Sequence, residues 1–285
     1  PLVHHGGRVD RDLGPHHPVR MGTRLFRRGR GHLAHADAAA VARLTTVDDH
    51  EHVVRAADDA DAVLREIVQV GWRPPVMRQY DERESRRLHE DAADCTVIMV
   101  HEGPAGLVEA EVAAVTALAE RMGLKALPDT IVTHWLGHRN HVAGWDQILT
   151  RTMVADTVEV SAPWDRIAEV YDKATKSVSE IPGCRASSAH SSHVYRSGLN
   201  LYFTFAVQLE STDAMEGAYF EAWQRIMQAT ADCGGSVAHH HGIGRVRRDW
   251  MKTELGEGGA RLLRSLKAAI DPKGIMNPGV MIPDA

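Results

Sequence analysis

Three consecutive histidines, His239, His240 and His241, run straight into a Gly-x-Gly turn within Ser236–Val246. Imidazole titrates near neutral pH, so such a cluster offers proton transfer, hydrogen bonding or metal ligation. Val237 and Ala238 suit a short strand, on which side chains alternate faces. His239 and His241 would then share one face and His240 would take the other. Adjacent strand residues cannot all point at one ion, and no Cys-x-x-Cys or His-Glu-x-x-His motif adds ligands, so no metal is expected. Acid–base and hydrogen-bonding groups beside a flat cofactor make better use of these rings; a partly exposed polar loop is the plain alternative. Gly242 and Gly244 let the backbone turn tightly and approach such a ligand closely.

A second candidate lies on the stretch Leu199–Glu210. Its alternation puts Leu201, Phe203, Phe205, Val207 and Leu209 on one face, which must be the core face. Tyr202 and Thr204 share the opposite face with Asn200 and Gln208. A phenol on that less apolar face is either surface or the lining of a pocket. Alternation alone leaves both readings open.

The elements that must position these groups follow from periodicity and punctuation. A helical pattern begins at Ala56 and stops at Gly71. Pro74–Tyr80 reads as extended, Asp81–Leu88 as a charged helix and Cys95–Val100 as a strand. Ala105–Met122 is an amphipathic helix with Gly123 at its C-cap. Asp129–Gln147, rich in His and Trp, is read as a substrate-side loop and helix. Asp156–Val160 alternates as a strand, and Ser161 then reads as an N-cap with Pro163 in the first turn of a helix ending near Glu180. The strands Arg185–Tyr195 and Leu199–Glu210 form a hairpin, and helices follow over Thr212–Ala231 and Gly256–Ile270. The Pro and Gly spacing of Asp271–Met281 demands an ordered closing turn. This order predicts an α+β fold, an antiparallel sheet with helices packed mainly on one face. No internal repeat, Walker loop or Gly-x-Gly-x-x-Gly motif is present.

Composition narrows the function classes. The 285-residue chain is 44% hydrophobic with a formal net charge of −5, which gives no electrostatic case for nucleic acid. Cys95, Cys184 and Cys233 are odd in number and widely spaced, which argues against a disulfide framework and for a reducing, cytoplasmic setting. No apolar run reaches the roughly eighteen residues of a spanning helix, and no signal sequence is visible. Residues 1–55 carry eight of the eighteen histidines and no lysine. Their weak apolar periodicity predicts a disordered or poorly packed segment, in which the pairs His4-His5 and His16-His17 are solvated.

Ala238–Arg245, Ser161–Arg166, Leu201–Phe205 and Asp271–Gly279, taken together and in order, resemble FAD-linked oxidases of the vanillyl-alcohol-oxidase type. Within that group they are most similar to the alkyldihydroxyacetonephosphate (alkylglycerone-phosphate) synthases of ether-lipid synthesis. The likeness runs from about Asp61 to the C-terminus. It implies a ferredoxin-like cap domain and FAD as cofactor. It also implies that Tyr202 is the acid–base group near the flavin and that His239, His240 and His241 line the isoalloxazine and substrate. His240, His241, Gly242, Gly244 and Asn277 fall on the cofactor side. Arg78, in Pro75–Asp81, matches the arginine that contacts substrate. Related metal-dependent hydroxy-acid dehydrogenases resemble Gly-Asp-Gly-Asn-x-His and Ser-x-Glu-His-Gly at these two strands. Tyr202 and His240 stand at those positions here, so the metal-assisted reading loses its ligands and the ether-lipid branch is favoured.

Two departures stand out. The family's N-terminal FAD-binding domain, about two hundred residues in size, has no room here, so residues 56–285 read as the C-terminal substrate domain of an incomplete enzyme. An arginine that the synthases carry shortly before the Val-Glu-Val-Ser strand has no counterpart near Trp145, and Arg151 is out of register. The reaction implied is exchange of acyl for alkyl on dihydroxyacetone phosphate. The alternatives are FAD-dependent oxidation of a hydroxy acid or alcohol, and an inactive fragment lacking its flavin domain. The partners expected are a small-molecule lipid precursor or hydroxy acid, a second copy in a homodimer and a separate FAD-binding chain.

Overall fold

The computed structural model describes residues 43–45, 53–88, 94–128, 130–141, 144 and 152–283. In chain order the elements are β1 (Arg43–Thr45), α1 (Val53–Val70), β2 (Val76–Tyr80), α2 (Glu82–Leu88), β3 (Thr96–Val100), α3 (Ala105–Arg121), β4 (Lys125–Ala126) and α4 (Thr130–His138). Then come β5 (Met153–Pro163), α5 (Ile167–Ser179), β6 (Cys184–Ser191), β7 (Gly198–Gln208), α6 (Met215–Asp232) and α7 (Met251–Ile270). The strands form one sheet in the order β4-β1-β3-β2-β6-β7-β5, every described pair antiparallel. The expected α+β architecture is the one observed.

Two helix–strand–strand–helix units sit side by side in this sheet, joined where β2 pairs with β6. In the second unit the alternating residues Leu199, Leu201, Phe203, Phe205 and Val207 of β7 join Val158 and Val160 of β5 beneath α5 and α6. Each large apolar side chain buried there contributes about 1.5–3 kcal/mol. In the first unit Met77, Val97 and Met99 meet α1 and α3. The opposite face of β2 and β3 carries Tyr80 and Ile98, covered by Ile131, Val132 and Trp135 of α4. Four long helices therefore cover one face of the sheet and α4 covers part of the other. That second face, with Tyr202 on it, is where polar chemistry can gather.

Three sequence expectations need correction. Ser161 and Pro163 do not open a helix; β5 runs through both, pairing Ser161 with Asn200 and Pro163 with Gly198. Ser161 also exchanges backbone hydrogen bonds with Ser236, at 3.1 and 2.7 Å, so its backbone is committed to pairing on both sides. The helix starts at Ile167 without a side-chain cap. Secondly, Ser236–His241 is no strand. Beyond the single Ser161–Ser236 bridge the chain runs through a series of bends. Thirdly, α7 begins at Met251, ahead of the expected Gly256, where a φ of 66° kinks it; glycine alone takes that conformation readily.

Of residues 1–55, β1 and the first residues of α1 are described, and β1 pairs with β3 and β4. The remainder, with Trp145 and Arg151, lies outside the described residues. The three cysteines are free, and no helix among the described residues is long and apolar enough to cross a membrane.

Candidate active site

The register of β5 on β7 places Glu159 directly opposite Tyr202. Alternation turns Val158 and Val160 into the core and leaves Glu159 on the other face, where its side chain is nonetheless fully buried. A buried carboxylate needs partners, and the histidine run supplies them. The backbone N–H of His239 donates to Glu159 Oε2 at 3.0 Å. The Nδ1 atoms of His239 and His240 lie 3.0 and 3.2 Å from Oε1, and Asn200 Nδ2 donates to the same oxygen at 3.3 Å. Burial pushes this carboxyl's pKa up, but these bonds and the neighbouring imidazoles outweigh it and hold the group below its ordinary range. Glu159 therefore stays ionised at neutral pH.

The same contacts explain why the histidines do not alternate. Glu159 pulls the His239 backbone inward, and Glu254 of α7 accepts the Val237 N–H at 3.0 Å. The chain bends and all three rings converge. Tyr202 shares a 2.7 Å hydrogen bond with His240 Nε2 and stands 3.4 Å from His241 Nε2. When His240 Nδ1–H faces Glu159, its Nε2 is left as an acceptor, so the phenol donates. Carboxylate, imidazole and phenol then form one chain, Glu159–His240–Tyr202. Burial, followed by the Glu159 charge, raises the phenol's pKa. Burial likewise lowers the pKa of His241, which favours its neutral ring.

Across the sheet from this chain runs a ladder of rings. His190 of β6 stacks on Tyr202 at 4.9 Å and 8° and is held by Glu84 of α2 at 3.0 Å. Tyr80 of β2 follows at 5.4 Å from His190. Arg78 lies over Tyr80 and over Trp135 of α4, at 5.6 and 5.5 Å. Its Nε is buried without a hydrogen-bond partner. Arg78 thus stands on the same face as the histidines, joined to them through Tyr80, His190 and Tyr202 rather than by direct contact.

Sequence reasoning singled out Tyr202, His239, His240 and His241, and the structure brings all four together. Gly242 and Gly244 lie in the turn that follows. Arg247, buried and stacked on Trp223 at 4.9 Å, fixes that turn through the Gly242 carbonyl at 3.1 Å and the Glu159 carbonyl at 3.0 Å. The φ of +56° at Gly244 accounts for glycine there, while open space surrounds Gly242. Asn277 sits in the closing turn with a φ of 46°. That turn reaches Gly244 through the Met281 N–H, but among the described contacts the Asn277 side chain meets none of the histidines.

Sequence reasoning missed Glu159, Asn200, His193, Tyr195, Glu84 and Arg247 as parts of the site. Asn200 Oδ1 accepts the backbone N–H groups of Ser192 and His193, at 3.0 and 2.8 Å, and so ties the loop before β7 to Glu159. His193 packs 5.2 and 4.7 Å from the rings of His239 and His240, and Tyr195 Oη lies 2.9 Å from His239 Nε2. For Glu159 a signal existed: the acidic residue in Val158-Glu159-Val160 falls on the non-core face.

The profile of the family described as "FAD linked oxidases, C-terminal domain" matches residues 52–281. An "Uncharacterized FAD-linked oxidoreductase YgcU" of Escherichia coli O157:H7 is 31% identical over 236 residues, 78% of this chain and 49% of that protein. Alkyldihydroxyacetonephosphate synthase of Trypanosoma brucei brucei is 34% identical over 143 residues, 48% of this chain and 23% of that protein. Among solved structures, an alkyldihydroxyacetonephosphate synthase superposes with a TM-score of 0.52 at 21% identity, covering 84% of this chain and 43% of the other. A 4-ethylphenol oxidase from Gulosibacter chungangensis gives 0.59 at 13% identity, covering 85% and 54%; both structures speak to the fold alone. The chain spans about half the length of the E. coli relative it matches.

Proposed function

The chain belongs to the FAD-linked oxidase C-terminal domain family, and from that premise we propose that it forms the substrate side of an FAD-dependent enzyme in which Tyr202 transfers a proton through His240. One observation carries the reading: the hydrogen-bonded chain from buried Glu159 through His240 to Tyr202. A phenol alone is a poor base at neutral pH. A phenol whose proton can pass to an imidazole, with the resulting imidazolium facing a fixed carboxylate, is a competent one.

The residues present fit the reactive end of a flavin. His240 and His241 offer polar edges to a flat ring, the space over Gly242 is open, and Arg78 presents a buried Nε without a partner. His240, His241, Gly242 and Gly244 would line the ring, with Asn277 on the closing turn beside Gly244. Bound flavin supplies an electrophilic two-electron acceptor. This chain's residues do the rest. Arg78, backed by Tyr80 and Trp135, holds an anionic substrate group. Replacing an acyl ester oxygen by an alcohol oxygen releases one proton, and Tyr202 is placed to take it and pass it to His240.

The substrate pair we favour is an acyl-dihydroxyacetone phosphate and a long-chain alcohol, by similarity to the synthases. A second reading keeps the site and changes the reaction to oxidation of a hydroxy acid or alcohol. The E. coli relative named an oxidoreductase, which matches 78% of this chain, favours it. Incubating the full chain with FAD and each substrate set separates the two. Ether product without dye reduction supports exchange, and dye reduction supports oxidation. Neither product, with no flavin retained, marks a chain that needs the flavin-binding half of its relatives.

A further inference from the structure

The bent histidine run removes the geometric ground on which a metal was not expected, since the rings no longer alternate. His239 Nδ1, His240 Nδ1 and Glu159 Oε1 form a triangle with edges of 2.8, 3.0 and 3.2 Å. One ring nitrogen from each of His193, His239 and His240 also falls within a common 4.8 Å. Donors bound at about 2.0–2.1 Å to a tetrahedral ion stand roughly 3.3 Å apart. The edges of the triangle are a few tenths of an ångström shorter, which a small outward rotation of the rings corrects, while the His193 nitrogen, within 4.8 Å, closes in on the ion.

Protons alone cannot satisfy this triangle. If both Nδ1 atoms carry hydrogen, the 2.8 Å nitrogen–nitrogen edge sets two N–H groups against each other. If one carries it, the other nitrogen turns a lone pair toward the carboxylate oxygen. Either way one edge is repulsive, and a cation at the centre relieves all three at once. The supporting shell is already built. Glu159 Oε2 is fixed by the His239 N–H, and Asn200 holds both Glu159 and the backbone of His193. Such partners orient ligands in metal sites generally.

The geometry points to a divalent transition-metal site of the zinc class, built on His193, His239 and His240, with the Glu159 carboxylate beside two of them. Three imidazoles and one carboxylate suit Zn2+ in preference to Mg2+ or Ca2+. Occupancy has a defined consequence. With both Nδ1 lone pairs on the metal, each neutral ring keeps its single proton on Nε2. Those N–H groups then donate to Tyr202 and Tyr195, reversing the His240–Tyr202 hydrogen bond. His240 can no longer accept the phenol's proton, so the ion switches the relay off.

The test uses the full chain with Zn2+ and Co2+ and needs no flavin. One equivalent of Co2+ should give the visible spectrum of a four-coordinate ion, and Zn2+ should displace it. His193→Ala, His239→Asn and Glu159→Gln should each weaken Zn2+ binding by about 10- to 100-fold or more, with folding checked by circular dichroism. Replacing His4, His5, His16 and His17 together by Ala, or His138 by Ala, should leave that equivalent intact. An equivalent that vanishes with the four N-terminal histidines, or survives His193→Ala and His239→Asn unchanged, overturns the assignment.

Discussion

Glu159→Gln is the perturbation with the best-defined consequence. The amide keeps the volume and can still accept the His239 backbone N–H through its oxygen. Its NH2 then replaces Oε1, which lies 3.0 Å from His239 Nδ1, 3.2 Å from His240 Nδ1 and 3.3 Å from Asn200 Nδ2. The charge that stabilises the His240 imidazolium is gone, and a donor faces the Asn200 donor. A hydrogen bond to a charged group is worth about 1.5–3 kcal/mol. At about 1.4 kcal/mol per tenfold in rate, turnover limited by proton transfer should fall roughly 10- to 100-fold with little change in KM. The assay is steady-state kinetics of the FAD-supplemented protein, beside thermal melts across pH. Because the folded carboxyl is held below its ordinary range, its stabilising contribution is complete at neutral pH. It is lost as pH falls through the ordinary glutamate value of about 4.3 and then through the lower folded one. The Tm gap between parent and variant should therefore close on acidification. Turnover within about twofold of the parent, where 1.4 kcal/mol would already give tenfold, refutes the role given to Glu159. A Tm gap that widens in acid refutes the electrostatics.

Other perturbations test other parts of the arrangement. Arg78→Gln removes the cation stacked between Tyr80 and Trp135. It should raise KM for a phosphate-bearing substrate by about 10-fold or more, the value of one charge-assisted bond, with a smaller effect on kcat. Gly198→Ala would place a Cβ 2.0 Å from the Ala162 carbonyl oxygen, against backbone that cannot give way. It should cost about 3 kcal/mol as an overpacking defect and lower Tm by several degrees in thermal unfolding. The raised phenol of Tyr202 should put the alkaline limb of the rate profile above the ordinary tyrosine value of about 10, and Tyr202→Phe should abolish that limb.

Much of the fold was legible because its elements are locally encoded. The period-two pattern from Leu199 to Val207 named the core face of β7 correctly, and therefore the face on which Tyr202 stands. Ser161-Ala-Pro163 misled because a serine before a proline looks like a helix start, and only its pairing with Asn200 and Ser236 reveals a strand. The site was half legible for the same reason. Three adjacent histidines announce chemistry, whereas Glu159 gains its importance from a register between strands separated by the whole of α5 and β6. Arg247 and Asn200 act through backbone carbonyls and N–H groups contributed by distant loops. No local pattern encodes such partners.

The most direct measurement is turnover of Tyr202→Phe beside the parent, at saturating FAD and substrate. The variant keeps the ring that stacks on His190 and loses only the hydroxyl bonded to His240. Loss of an acid–base group costs about 10²- to 10⁴-fold. A fall in that range at unchanged KM is the predicted result, and a variant that turns over at the parent's rate contradicts it.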